Sequence, residues 1–300
     1  MVLPQWAEPT PPEQPTAASR ALALVVAALA VLGLVVTWSL LVVHPQGSAL
    51  DDSAVDGASY GSSTLWQVAE PVLDIVSVGF IIAVIAATTL VAFIRRRWTL
   101  AFQAALLVAG ANITTQLLKH LVLERPDGTL NTLPSGHTTV AASVSVALLL
   151  VVPRSARPAV ALLGAAYTGA TGISTMIGQW HRPSDVIAGV LVVLAWTGIV
   201  CALTSRYSLD PRQEATASTV TSAVVLLLAA AIAAAGGLAV LGGTDLPLVG
   251  TATASGPDVR AYVGTAALVA ATVAGTFGAA LLVRQYTARP VRSGHDRTQH

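Results

Sequence analysis

The sequence predicts an all-α integral membrane protein of about eight spans, and two observations carry that prediction. Of 300 residues, 54% are hydrophobic and 10% are charged, with a mean hydropathy of +0.70; a soluble domain carries about 25% charged residues. The apolar residues also gather into runs near the roughly 20 residues that a membrane-crossing helix needs. A net charge of +1 leaves no basic field for nucleic acid. Cys201 is the single cysteine. No intramolecular disulfide can form, and its place inside an apolar run assigns it to packing.

Taken in order, residues 1–20 are rich in Pro, Glu, Thr and Ala, have little to bury, and read as a disordered tail. Glu8 and Glu13 stand against Arg20 alone before the first apolar run, which is too long for a signal peptide and reads as a retained span. The runs fall at 21–43, 71–94, 99–118, 138–152, 157–179, 184–203, 217–241 and 261–283, the fourth being short. Gly164, Gly169 and Gly172, with Gly236, Gly237, Gly275 and Gly278, offer small faces for close helix contact in lipid. Residues 44–70 are polar and acidic and read as a loop covering one face. Residues 204–216 read as a linker, 217–283 as two further helices, and 284–300 as a basic tail.

Charge sets the orientation. With both termini cytoplasmic, the inner segments carry 12 of the 16 Lys and Arg residues, and the outer side keeps Lys119, Arg125, Arg182 and Arg260. Cytoplasmic loops collect positive charge, so this is the expected topology, on a bacterial-type plasma membrane. The Arg95–Arg97 run reads as a topology anchor rather than a binding patch. The same topology delivers Lys119–His137, between spans three and four, and His181, after span five, to one face.

These outer residues form the chain's one dense cluster of chemical groups. It starts at Lys119, the only lysine, and runs to Arg125-Pro126. It continues with Pro134-Ser135-Gly136-His137 and ends with Ser174-Thr175, His181-Arg182 and Asp185. Ser135 suits a helix cap, and Gly136 allows close backbone approach, so the second stretch suits an anion. Lys119 and Arg125 supply charge, and an arginine grips phosphate with two parallel hydrogen bonds. An Asp bonded to one ring nitrogen of a His leaves the other free to attack, and His181 and Asp185 stand four apart at a helix start. Clusters of three cations, two histidines and a carboxylate beside membrane spans point to chemistry on a phosphate group. No metal-binding motif is present in the sequence.

The three stretches resemble the signature of the type-2 phosphatidic acid phosphatase family, relatives of the vanadium haloperoxidases. That pattern is Lys-x6-Arg-Pro, Pro-Ser-Gly-His and Ser-Arg-x5-His-x3-Asp. The resemblance covers about residues 21–203 and implies a six-span, lipid-phosphatase-like core there, with two additional C-terminal helices outside it. It implies that His181 is the nucleophile, forming a phosphohistidine, that Asp185 orients it, and that His137 is the general acid. Lys119, Arg125, Ser135 and Gly136 are then the phosphate-binding residues, and neither metal nor other cofactor is needed. The chain departs from the pattern twice. Five residues, not six, separate Lys119 from Arg125, and Thr175 stands where the family has arginine. Arg182 is the expected substitute for that arginine and Arg260 a weaker one.

The expected activity is a metal-independent phosphoric monoester or diphosphate hydrolase. It would act on a lipid phosphate, polyprenyl or glycerolipid, at the outer membrane face. Two alternatives stand beside it: phosphotransfer from a lipid to a hydroxyl acceptor, and a non-catalytic lipid-binding or transport protein. The expected partners are the lipid substrate and membrane lipids, with no nucleic acid; a homo-oligomer is left open.

Overall fold

The computed structural model describes residues 15–59, 67, 90, 94, 97–126, 128, 131–210, 217–243 and 256–289. Among these the regular structure is entirely helical. Helix α1 (Ala17–Trp38) starts where the Thr16 hydroxyl accepts the Ser19 N–H, and it runs on through a π turn, Ser39–Val43. Helix α2 is Pro45–Ser59 and α3 is Trp98–Leu117, the latter continued by a second π turn, Leu118–Val122. The remaining helices are α4 (Gly136–Val151), α5 (Arg157–Ile177), α6 (Pro183–Ala202), α7 (Ala217–Leu241) and α8 (Pro257–Thr287).

Six of these are long and apolar enough to cross a membrane, while α4 is shorter, as the sequence indicates. The chain therefore has the character of a multi-pass membrane protein, without a fixed count of eight. The second expected span, 71–94, lies almost wholly outside the described residues.

Helix α6 is apolar on all sides and buried along most of its length, as such a helix must be to gain from packing on every face. It is surrounded by α1, α3, α4 and α8. Leu24 and Leu32 on α1, Phe102 on α3, and Leu228 and Ile232 on α7 are exposed, which is the pattern of side chains facing lipid. The two C-terminal helices are not a separate layer: α7 lies along α8, and α8 packs on α2, α5 and α6.

One expectation needs correction. The polar stretch 44–70 is not simply a loop, because 45–59 is a helix. Pro45 is tolerated in a first turn, and Asp51, Ala54 and Ala58 recur at helical spacing and are all buried. At Gly57 the helix touches α8 so closely that a Cβ would fall 2.0 Å from the Asp258 carbonyl oxygen. No other residue fits there without moving the backbone.

Candidate active site

The N-terminus of α4, the N-terminus of α6 and the C-terminal end of α5 meet at one end of the bundle. Ser135 caps α4, its hydroxyl accepting the Thr138 N–H at 3.3 Å, and its own N–H donates to the Asp185 carbonyl at 2.8 Å. That second bond ties the Pro-Ser-Gly-His stretch directly to the His–Asp stretch. The approach depends on Gly189, where a Cβ would lie 2.9 Å from the Ser135 carbonyl oxygen.

Asp185 is fully buried in the first turn of α6 and accepts four donors. One carboxylate oxygen takes Arg125 Nη2 at 3.1 Å. The other takes the Thr132 hydroxyl at 2.5 Å, the Arg182 backbone N–H at 3.0 Å and His181 Nδ1 at 3.3 Å. A carboxylate only accepts hydrogen bonds, so this pairing selects the His181 tautomer with the proton on Nδ1 and leaves a lone pair on Nε2. His181 is buried and lines a pocket of about 360 Å³, with Thr132, Gln179, Trp180 and Arg182 on one side and Asp52, Val55 and Asp56 of α2 on the other. His137 is exposed, with its ring 5.9 Å from that of His181 in an edge-on arrangement and 5.7 Å from Trp180. Gln179 holds φ at 57°, a left-handed conformation that costs a side-chain-bearing residue about 1 kcal/mol or more.

Lys119 lies within the π turn, close enough for its charge to act on both His137 and Asp185. Leu123 N–H reaches back to the Leu118 carbonyl, and the chain then leaves the helix as extended backbone. Arg125 is thus outside the helix, so the short spacing from Lys119 carries no helical phase error. The Asn131 amide secures this segment by donating to the carbonyls of Lys119 and Leu123. The Leu133–Pro134 peptide is cis.

The structure thus gathers His181, Asp185, His137, Arg125, Ser135, Gly136, Lys119 and Arg182 at one end of the molecule. Arg182 lines the pocket, where its Nε donates to Asp52 at 2.5 Å. Burial opposes its charge, yet the bond to Asp52 and the nearby carboxylates hold the guanidinium above its ordinary pKa. Arg260 instead lies beside Gly243. Thr175 is fully buried, with its hydroxyl turned back to the Gly172 carbonyl at 2.7 Å. Its carbonyl accepts the N–H groups of Trp180 and His181, so it shapes the turn that presents His181 rather than facing the pocket.

Sequence reasoning missed Asp51. Its carboxylate is fully buried and accepts the Ser184 N–H at 3.0 Å and hydroxyl at 2.5 Å, with Arg125 Nη2 at 3.5 Å. Arg125 Nη2 therefore sits between two aspartates, while its Nε and Nη1 are buried with no partner among the described residues. The buried stripe of α2 was the available signal, but nothing local names its partner. Burial pushes the Asp51 carboxyl up to about 7; Asp185 adds to the rise, while Ser184 and Arg125 oppose it. Among the described residues, no group of three or more His, Cys, Asp or Glu side chains is placed to hold a metal ion.

No curated protein and no solved structure matches the chain. A family model does: that of the PAP2 superfamily matches residues 100–210. That stretch contains all three motif segments, from Lys119 to Asp185, and the matched family is the one those segments resemble; members of the PAP2 superfamily are phosphatases acting on phosphate esters.

Proposed function

We propose that the protein is a membrane lipid-phosphate phosphatase working through a phosphohistidine on His181. The supporting observation is the His181–Asp185 pair at the pocket wall, which leaves Nε2 with a lone pair, together with the His137 ring 5.9 Å away. In the first step Nε2 attacks phosphorus and the bond to the leaving oxygen breaks. That oxygen takes a proton from His137. Asp185 stabilises the positive charge that the phosphorylated ring acquires. In the second step water attacks phosphorus, His137 recovers the proton, the P–N bond breaks, and its electron pair returns to Nε2. Inorganic phosphate leaves. Lys119 and the free edge of Arg125 hold the phosphate charge, with the backbone at Ser135 and Gly136 and the Arg182 guanidinium beside them.

The substrate is an amphiphile, polyprenyl (di)phosphate or glycerolipid, because the pocket lies at the ends of membrane-crossing helices where lipid head groups sit. The arginine distribution favours the outer face of the plasma membrane, with both termini cytoplasmic. The test is phosphate release from a panel of lipid phosphates by purified protein in detergent, with chelator present and His181→Ala as control. Release by wild type and none by the variant supports the reading. Equal release by both removes His181 as nucleophile. Phosphate moved to an added alcohol, with little released, favours phosphotransfer.

A further inference from the structure

Helix α2 brings a buried carboxylate to the candidate site from outside the stretch that the family model matches. Asp51 lies 74 positions from Arg125 and 133 from Ser184, yet it joins both. Its Oδ1 accepts the Ser184 N–H at 3.0 Å. Its Oδ2 accepts the Ser184 hydroxyl at 2.5 Å and lies 3.5 Å from Arg125 Nη2. The same Nη2 donates to Ser184 Oγ at 3.3 Å and to Asp185 Oδ1 at 3.1 Å. Asp51, Ser184, Arg125 and Asp185 thus form one buried network, in which the charged side chains are 0–1% exposed. Ala54 and Ala58 are buried on the same face of α2, and the close approach of Gly57 to α8 fixes the helix that carries Asp51.

This network acts on two parts of the site. The first is the start of α6. Ser184 is the second residue of that helix, where a backbone N–H has no partner within the helix. A carboxylate from another element satisfies that donor, and its charge is favourable at a helix N-terminus. Asp185 satisfies the Arg182 N–H in the same turn, so the turn that follows His181 is tied down from two sides. The second part is Arg125. It lies beyond the extended backbone at Leu123, where no helix orders its side chain, and a long side chain is costly to order. Two carboxylates and a hydroxyl converge on one of its nitrogens, and holding one corner of the planar, rigid group sets the direction of its other donors. A buried charge is an expensive way to fill space, and apolar residues of similar volume often do so at lower cost. What the Asp51 charge adds is its hold on Arg125.

We propose that Asp51 is a positioning residue, which acts through Arg125 and Ser184 to hold the site in the arrangement that receives the phosphate group of the substrate. The proposal rests on the phosphatase reading above, and wild type tests that reading first. Purified full-length protein in detergent is titrated with inorganic phosphate at pH 8, above the Asp51 value of about 7. KM and kcat are measured in parallel on the lipid phosphate that the release assay identifies. Wild type that neither binds nor releases phosphate removes the phosphatase reading and the proposal together. Wild type that binds phosphate without releasing any removes turnover alone, and the binding measurement then decides the role of Asp51. The expected result is that Asp51→Asn raises KM and weakens phosphate binding by about tenfold or more, with kcat changed less. In Asp51→Asn/Arg125→Gln the loss should be no larger than in Arg125→Gln alone, because residues acting through one group are not additive. Wild-type KM and phosphate binding in Asp51→Asn overturn the proposal, and so do losses that add in the double variant. A fall in kcat and melting temperature with KM and phosphate binding kept assigns Asp51 to stability alone and overturns it too. Should Asp51→Asn fail to fold, Ser184→Ala removes the hydroxyl between Asp51 and Arg125 and leaves both charges. Weaker phosphate binding in that variant supports the proposal, and unchanged binding counts against it.

Discussion

The two ends of the helix bundle solve opposite electrostatic problems. At the His181 end, one arginine is shared by two buried aspartates: Arg125 Nη2 lies 3.1 Å from Asp185 and 3.5 Å from Asp51. At the other end, one aspartate, Asp210, is shared by Arg97, Arg154, Arg157 and Arg284. The first arrangement holds a cation in place while leaving its Nε and Nη1 unpartnered among the described residues, which suits the phosphate-binding role proposed for it. The second gathers the ends of several helices about a single carboxylate. Ion pairs of similar geometry thus hold a candidate site residue at one end and tie helix ends together at the other.

The largest expected effect separates the ends by activity. His181→Ala should lower phosphate release by about 10⁴-fold or more, with a smaller effect on thermal unfolding than any loss of Asp210. Kinetic assay and melting of the same preparation check both halves. His137→Ala should cost about 10²–10⁴-fold by removing the proton donor, and its pH–rate profile should lose the fall at high pH that deprotonation of that donor produces.

Next in size is the effect on stability at the far end. Asp210→Ala leaves four arginines without their shared carboxylate, and breaking a buried pair from one side costs about 3–5 kcal/mol. A collapse of the melting temperature is the expected reading. If Asp210→Ala melts like wild type, the contrast between the ends is wrong.

A smaller effect comes from Asp51. Its folded pKa of about 7 lies above the ordinary 3.8. Between those values the folded state binds more protons than the unfolded chain, so stability is fully present below pH 3.8 and falls as pH rises through 7. The melting temperature should therefore drop from pH 5 to pH 8, and Asp51→Asn should flatten that drop. A slope unchanged by the substitution would assign the drop to other groups. The smallest effect is at the pocket rim. The Arg182–Asp52 pair is partly solvated and worth about 0–1 kcal/mol to the fold. Arg182→Ala should raise KM a few-fold with little change in melting, and unchanged kinetics would remove Arg182 from phosphate binding.

Much of this was legible before any coordinates. The apolar runs correspond to helices wherever the chain is described, because lipid leaves a backbone few other ways to satisfy its hydrogen bonds. Pro-Ser-Gly-His announced a capped helix start, and His181 and Asp185 announced one helix turn, since both are short-range signals. The π turn after α3 was not legible, nor was the way it frees Arg125 from helical phase. Thr175, set apart in the sequence as a missing arginine, is a buried turn residue. Arg97, read as a topology anchor, turns inward to Asp210.

The sequence by itself determined that this is a helical protein of multi-pass membrane character, and it marked out the cations, histidines and carboxylate that the fold brings together, because hydropathy and local spacing act over one or two helix turns. Only the tertiary structure decided that Asp51 meets Ser184 across 133 positions of chain, that α8 braces α2 beside the pocket, and that four arginines converge on Asp210. Those contacts join residues with no sequence relation. A buried charge takes whichever partner packing brings within reach, and packing is settled by the whole bundle at once.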